Sequence, residues 1–318
     1  MDQTVASMRF AVEAWDPDYG TGGDADGLDP STDVVDPNLE VAAESWSPID
    51  PSADAPTSVF FVDGVRRIDA RIWVTDGDRV LPGSCATVAA GSVLCTPGQA
   101  SIHEMAVRRV VLTPPTDVAN SIETEHGTYE HVTIASGSPE DLYLGIHEEM
   151  TRLETETVPG IDDSAVVVFD GPLRGRTSDG AVGLIKTQHV QYLEGQPLTT
   201  VAALDEGQRT PLFQIGSGRF ARASWYLRLP GPRTHSWAGI LRCEIPARAK
   251  EEGEDTMLDL ANRVSAMLPR YASEPHKEQR APQNLYPIAG LERALRARLG
   301  DQRLLQRALR SAAGRVSA

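Results

Sequence analysis

Two strongly apolar runs of this 318-residue chain each stop at Asp-Gly: Ser58-Val59-Phe60-Phe61-Val62-Asp63-Gly64 and Ser164-Ala165-Val166-Val167-Val168-Phe169-Asp170-Gly171-Pro172. Such runs predict strands buried on both faces. A carboxylate at the end of one lies at the rim of the sheet, and the glycine frees the backbone to turn away. If the two strands are parallel neighbours, Asp63 and Asp170 face each other at their C-terminal ends, where α/β sheets place their ligands. Two carboxylates that close repel unless a proton or cation lies between them, and a divalent metal bound through oxygen is the commonest answer. An ordinary turn explains either dipeptide alone equally well. Only the matched pair points to chemistry.

A third acid comes from the segment between the runs. Ser138-Pro139-Glu140-Asp141 combines a cap, a first-turn proline and acidic residues suited to a helix dipole, so it predicts a helix reaching about Thr157. At about 100° per residue, Leu142, Ile146 and Leu153 form an apolar stripe. Glu149 falls inside that stripe, Glu148 points away and Glu154 lies at its border. A carboxylate on an apolar face needs a partner, which makes Glu149 the inward-facing candidate and Glu154 the reserve.

The elements that would position these acids are mostly strands. After Asp63 come an alternating run, Arg66 to Val74, the turn Asp76-Gly77-Asp78 and a further run, Ser84 to Leu94; together these predict an antiparallel meander. Strand-like runs follow at Ala106 to Leu112 and His131 to Ala135, then the helix, then the strand ending at Asp170. Three strands, a helix and a strand, with acids on the first strand, the helix and the last strand, is the layout of an RNase H-like α/β fold, a mixed sheet flanked by helices. Gly183 to Gln188, Leu212 to Ile215, Ala223 to Leu229 and Ser236 to Ile245 add further strands.

Charge is distributed unevenly. Up to Pro56 thirteen carboxylates oppose Arg9 alone, so this segment carries most of the net charge of −15 and the rest is nearly neutral. The acidity therefore does not exclude a polyanionic substrate. Residues 1–56 read as an acidic, partly disordered arm with a short helix over Gln3 to Ala14 and two docking elements, Trp15-Asp16-Pro17 and Trp46-Ser47-Pro48. From Pro275 onward nine basic residues oppose three acids, which predicts a basic C-terminal helical segment over 276–318. Cys85, Cys95 and Cys243 have no metal-ligand spacing. No membrane-spanning run or signal sequence is expected, which places the protein in the cytoplasm.

Taken together, the strand at Asp63-Gly64, the acidic helix, Val168-Phe169-Asp170-Gly171-Pro172-Leu173 and Gly183-Leu184-Ile185-Lys186 resemble the NurA nucleases, partners of the HerA hexameric DNA translocase. The resemblance runs over roughly 57–300, with a nuclease core at 57–275. It implies a manganese- or magnesium-dependent nuclease acting on DNA, a homodimer and a HerA-like ring ATPase partner. It assigns metal binding to Asp63, Glu149 and Asp170. The family's C-terminal histidine has no counterpart in Pro282 to Glu292, where Glu292 stands near the expected place and Asn284 is a second oxygen donor.

Phosphodiester hydrolysis by two ions about 3.5 to 4 Å apart suits these acids. Lys186 could meet the scissile phosphate or equally stand as a solvated strand-end lysine. Arg66, Arg174 and Arg176, which follow the Asp-Gly pairs, could grip flanking phosphates, although for each arginine alone a surface salt bridge is the simpler reading. His235, between Arg233 and Trp237, could reach a substrate or simply occupy a turn. Gly216-Ser217-Gly218 precedes a strand, not a helix, and is no dinucleotide fingerprint; with no Walker lysine motif, ATP-driven motion would come from a partner. The missing histidine keeps a second reading open: a nuclease-fold subunit without turnover, serving DNA-end binding or assembly.

Overall fold

Runs of β-branched and small apolar residues favour extended backbone, and in the computed structural model the longest strands reach 18 residues. The structure describes residues 29–76, 78–116, 121–158, 165–173, 175–176, 180–247 and 250–316. The helix expected over Gln3 to Ala14, the Trp15 element and Arg174 lie outside these residues. In chain order the longer strands are β1 (Val59–Asp76), β2 (Arg79–Thr96), β3 (Gln99–Thr113), β4 (Gly127–Thr133), β5 (Val166–Asp170), β6 (Ala181–Ile185), β7 (Phe213–Ile215), β8 (Arg222–Arg228) and β9 (Ile240–Pro246). The helices are α1 (Pro139–Glu156), α2 (Gly195–Ala203), α3 (Lys250–Met267), α4 (Tyr286–Arg298) and α5 (Gln302–Val316).

The chain divides into two compact units, Thr57–Asp170 with Pro287–Ala318, and Met1–Pro56 with Gly171–Tyr286. These boundaries differ from the segments expected from composition. The strand ending at Asp170 completes the sheet of one unit, and Val35 and Trp46 pack into the core of the other.

In the first unit the strand order is β5-β1-β2-β3-β4, followed by the short strand Ile122–Thr124. β1, β2 and β3 form an antiparallel meander. β4 joins β3 in parallel, and after the crossover through α1, β5 joins β1 in parallel. The strand after the helix thus lies beside the first strand of the meander, as in the expected RNase H-like layout. The meander is bounded differently, however. Arg66 to Val74 is the second half of β1, because β2 pairs along its whole length with one irregularity between Ile68 and Ala70.

Helices cover both faces of this sheet. α1 lays Ile146 and Leu153 on Ala86, Val88, Ala90, Val110 and Leu112. On the other face Leu309 of α5 packs with Cys85, Val111 and Tyr129. α1 starts where the sequence indicated: the Ser138 hydroxyl accepts the Asp141 N–H at 3.1 Å, with Pro139 in the first turn. At Gly145 a β-carbon would lie 2.6 Å from Leu112 and 2.7 Å from Ile134, so only glycine lets the helix come this close.

The strand irregularity buries Asp69, whose carboxylate accepts from Thr87 at 2.5 Å, Tyr129 at 2.9 Å and Arg67 at 2.9 Å. Arg67 also donates to the Leu299 and Gly300 carbonyls just past α4, a favourable place for a cation at a helix C-terminus. One buried carboxylate thereby ties β1 to the C-terminal helices.

The second unit is an antiparallel sheet in the order Val35–Asp36, β7, β8, β9, β6. Its core joins Trp46, Leu193, Val201, Leu204, Phe213, Ile215, Tyr226 and Ile240. Trp46 docks on the body, as its exposure cost demanded. Beside it the buried Arg209 guanidinium holds both oxygens of Glu40, at 2.8 and 2.9 Å, and donates to Asn262 at 2.8 Å. Part of the acidic N-terminal segment is therefore structural. Among the described residues no helix is long and apolar enough to cross a membrane.

Two predictions follow from this packing. Glu40→Ala leaves a buried guanidinium without its carboxylate and should lower stability by about 3 to 5 kcal/mol in denaturant unfolding; a loss below 1 kcal/mol would show the pair to be dispensable. All three cysteines are free and buried, and Cys85 and Cys95 lie on the same strand, β2. Burial pushes the Cys85 thiol up to about 12, with Asp69 adding to the shift, and the Cys95 thiol up to about 11. Both should stay unreactive to a thiol reagent at pH 8 in the native state and react fully once the protein is denatured.

Candidate functional site

The two apolar runs meet in parallel. Val59 pairs with Val166, Phe60 with Val167, Phe61 with Val168 and Val62 with Phe169. The next step of this register brings Asp63 beside Asp170, and equal strand alternation gives both the same face. β5 stops at Asp170, and Gly171 turns the chain at φ +101°. Asp63 is different from the expectation: β1 does not end there but continues to Asp76, with Gly64 paired to Ala90. Asp63 therefore marks the point where β1 runs on past the end of β5. It is buried, and one carboxylate oxygen accepts the Gly64 N–H at 2.8 Å.

Gly64 answers to crowding, not to a turn. A β-carbon there would lie 2.5 Å from Glu154 Oε1 and 2.7 Å from Met150 Cγ, both on α1. Gly64 thus belongs to the α1 face of the sheet, with its partner Ala90. Asp63, one residue away, takes the opposite face, with its partner Gly91. A β-carbon at Gly91 would lie 3.2 Å from Leu291 of α4.

This arrangement revises the choice of helix acid. Glu149 is buried on α1, as the apolar stripe indicated, but its carboxylate is held by Arg152 at 2.5 Å and Arg108 at 3.4 Å. Arg108 lies on β3, two strands from β1, and also binds Glu156 at 2.6 Å. The expected grouping of Glu149 with Asp63 and Asp170 is not formed. Glu154, the reserve, is the α1 carboxylate that reaches β1, at Gly64. Among the described residues no group of three or more His, Cys, Asp or Glu is arranged to hold a metal ion. The chemistry of the paired Asp63 and Asp170 nevertheless fits a hard cation such as Mg2+ or Mn2+, because both are oxygen donors.

The other expected residues fall in varied settings. Arg66 lies on the α1 face, where it donates to the Tyr143 hydroxyl at 2.7 Å. Glu292 on α4 accepts from Arg296 at 2.8 Å. In the other unit, Lys186 follows β6 and is buried, where it donates to Asn284 Oδ1 at 2.7 Å. Arg176 donates to the Pro172 and Leu173 carbonyls, at 3.5 and 3.3 Å. His235 is half-buried in a turn, its carbonyl accepting from Ala238 N–H at 3.1 Å. The arginine pair around Glu149 was not anticipated. Arg152 at i+3 was a usable signal, whereas Arg108 is brought in only by the sheet.

The structure is similar to that of the NurA nuclease from Sulfolobus solfataricus at 10% identity, over 80% of this chain and 82% of that one, with a TM-score of 0.45. It is also similar to endonuclease V from Bacillus subtilis at 11% identity, over 78% of this chain and 85% of that one, with a TM-score of 0.30. For the catalytic domain of human endonuclease V the identity is 18%, the coverage 86% and 89%, and the TM-score 0.32. No family model and no curated protein matches the chain.

A test of the local geometry is Gly64→Ala. The added methyl must displace Glu154 and Met150, and a loss of about 1 to 3 kcal/mol is expected in thermal or denaturant unfolding. Unchanged stability would mean that α1 does not press on β1 at this point.

Proposed function

We propose that the protein is a divalent-metal-dependent nuclease that hydrolyses phosphodiester bonds in DNA. The observation that supports this reading is the parallel register of β1 and β5, whose last pair, Val62 with Phe169, immediately precedes Asp63 and Asp170. Mg2+ or Mn2+ would neutralise charge on the phosphate and make attack by water favourable. The protein's part is to hold that cation. Asp63 and Asp170 offer carboxylate oxygens from two paired strands, and the Gly64 N–H fixes the orientation of Asp63. Glu154, whose carboxylate approaches β1 at Gly64 from the α1 face, opposite that of Asp63, replaces Glu149 as the helix acid under test, because Arg108 and Arg152 already balance Glu149. Through the motif resemblance the same reading includes a homodimer and a HerA-like ring ATPase as partner, in DNA end processing or phage defence.

One observation favours a second reading, a nuclease-fold subunit that binds DNA ends without cutting them: no third acid is grouped with the aspartate pair among the described residues. Cleavage of linear and single-stranded DNA by the purified protein, with and without Mn2+, decides between them. Under the nuclease reading Asp63→Ala and Asp170→Ala each abolish metal-dependent cleavage, and Glu154→Gln loses far more activity than Glu149→Gln. Full activity in either aspartate variant would overturn the site. A greater loss in Glu149→Gln would return the helix acid to Glu149. Absence of cleavage with retained DNA-end binding would leave the second reading.

A further inference from the structure

Beyond Asp63, β1 carries the α1 face of the sheet outward. Gly64 opposite Ala90, Arg66 opposite Val88 and Ile68 opposite Ala86 share that face, and past the irregularity it passes to Arg71, opposite Ser84, and Trp73, opposite Pro82. Trp73 is 73% exposed and Tyr143 of α1 is 51% exposed, an unusual outlay for two large aromatic rings. They are not isolated. The Arg66 guanidinium lies 4.3 Å from the centroid of the Tyr143 ring and donates to its hydroxyl, and the His147 ring lies 4.5 Å from that of Tyr143 at 59°. Arg66 and Arg71 form no ion pair among the described residues. The face therefore presents two cations without carboxylate partners, interleaved with exposed rings.

This combination selects one kind of occupant. Every base has a π-face that stacks on an aromatic ring or a guanidinium plane, and each linking phosphate attracts a cation, so rings interleaved with arginines form a platform for single-stranded nucleic acid. A protein partner would call for a continuous apolar patch, whereas here the cations interrupt it. From Arg66 to Trp73 the strand spans roughly 20 Å, long enough for several nucleotides. Arg66 shares β1 with Asp63 but lies on the α1 face, opposite the face that Asp63 takes. We infer that Trp73, Arg71, Arg66, Tyr143 and His147 form a binding track for single-stranded DNA. The inference rests on the nuclease reading for its choice of DNA, and it deepens that reading by naming a surface that holds a single strand.

The test is equilibrium binding of a fluorescent single-stranded oligonucleotide to the full chain without divalent metal, at fixed low salt. Trp73→Ala and Tyr143→Ala should each weaken binding about tenfold, the range expected for loss of one stacked base. Trp73→Phe and Tyr143→Phe should bind close to wild type, because they keep the ring. Unchanged melting temperatures in the alanine variants are expected from the exposure of both side chains and exclude a folding defect. Absence of measurable binding by the wild type, or equal affinity in the double variant W73A/Y143A, would overturn the track. Because binding is read without metal, the two readings fail separately. Ring-dependent binding by a protein that never cleaves DNA keeps the track and removes the nuclease. Cleavage by a protein whose affinity ignores both rings does the reverse.

Discussion

The parallel pairing of β1 with β5 is the constraint on which the rest of the candidate site depends. Phe61, Val62, Val167 and Val168 are fully buried at this seam. Each is worth about 1.5 to 3 kcal/mol of burial. Two unit charges about 4 Å apart near a surface repel by about 4 kcal/mol. The apolar seam therefore outweighs the repulsion it creates and can hold Asp63 and Asp170 together. A slip of one residue would carry Asp170 to the other face, so the same burial that sets the register also sets the chemistry.

Buried charge elsewhere in the protein is balanced in a different way. Asp69 accepts from a threonine, a tyrosine and an arginine, Glu149 lies between two arginines, and Glu40 faces Arg209. Each carboxylate has donors matched to it, which is what the cost of burying an ion demands. These groups hold elements together: β1 to the C-terminal helices, α1 to β3, and the N-terminal segment to its sheet. The aspartate pair differs in arrangement, because the register sets two carboxylates at the end of the same strand pair. That adjacency, and not burial alone, makes the pair a candidate for cation binding.

How much of this was legible in the sequence depends on the range of the interaction that fixes each feature. The start of α1 is written in Ser138-Pro139-Glu140-Asp141, because capping and dipole effects act within one turn. The strands and the facing of Glu149 follow from local periodicity. Where Asp63-Gly64 was read as a strand end, local turn chemistry was the competing signal. It lost to pairing with β2, which continues without a break and leaves the glycine to relieve crowding against Glu154 and Met150. The N-terminal segment shows the same limit. Its composition reads as an acidic arm, yet Trp46 and Glu40 find a core and an arginine more than a hundred residues away.

The sequence by itself therefore determined the order of elements, the apolar seam and the two aspartates at its end, since these rest on side-chain type and periods of two or 3.6 residues. Only the tertiary structure decided which helix carboxylate reaches β1, which one is neutralised by arginines, and that Lys186 is buried against Asn284. Those outcomes depend on which strands become neighbours and on how closely a helix can approach them. Burial of residues far apart in the chain sets both, and no local pattern records it.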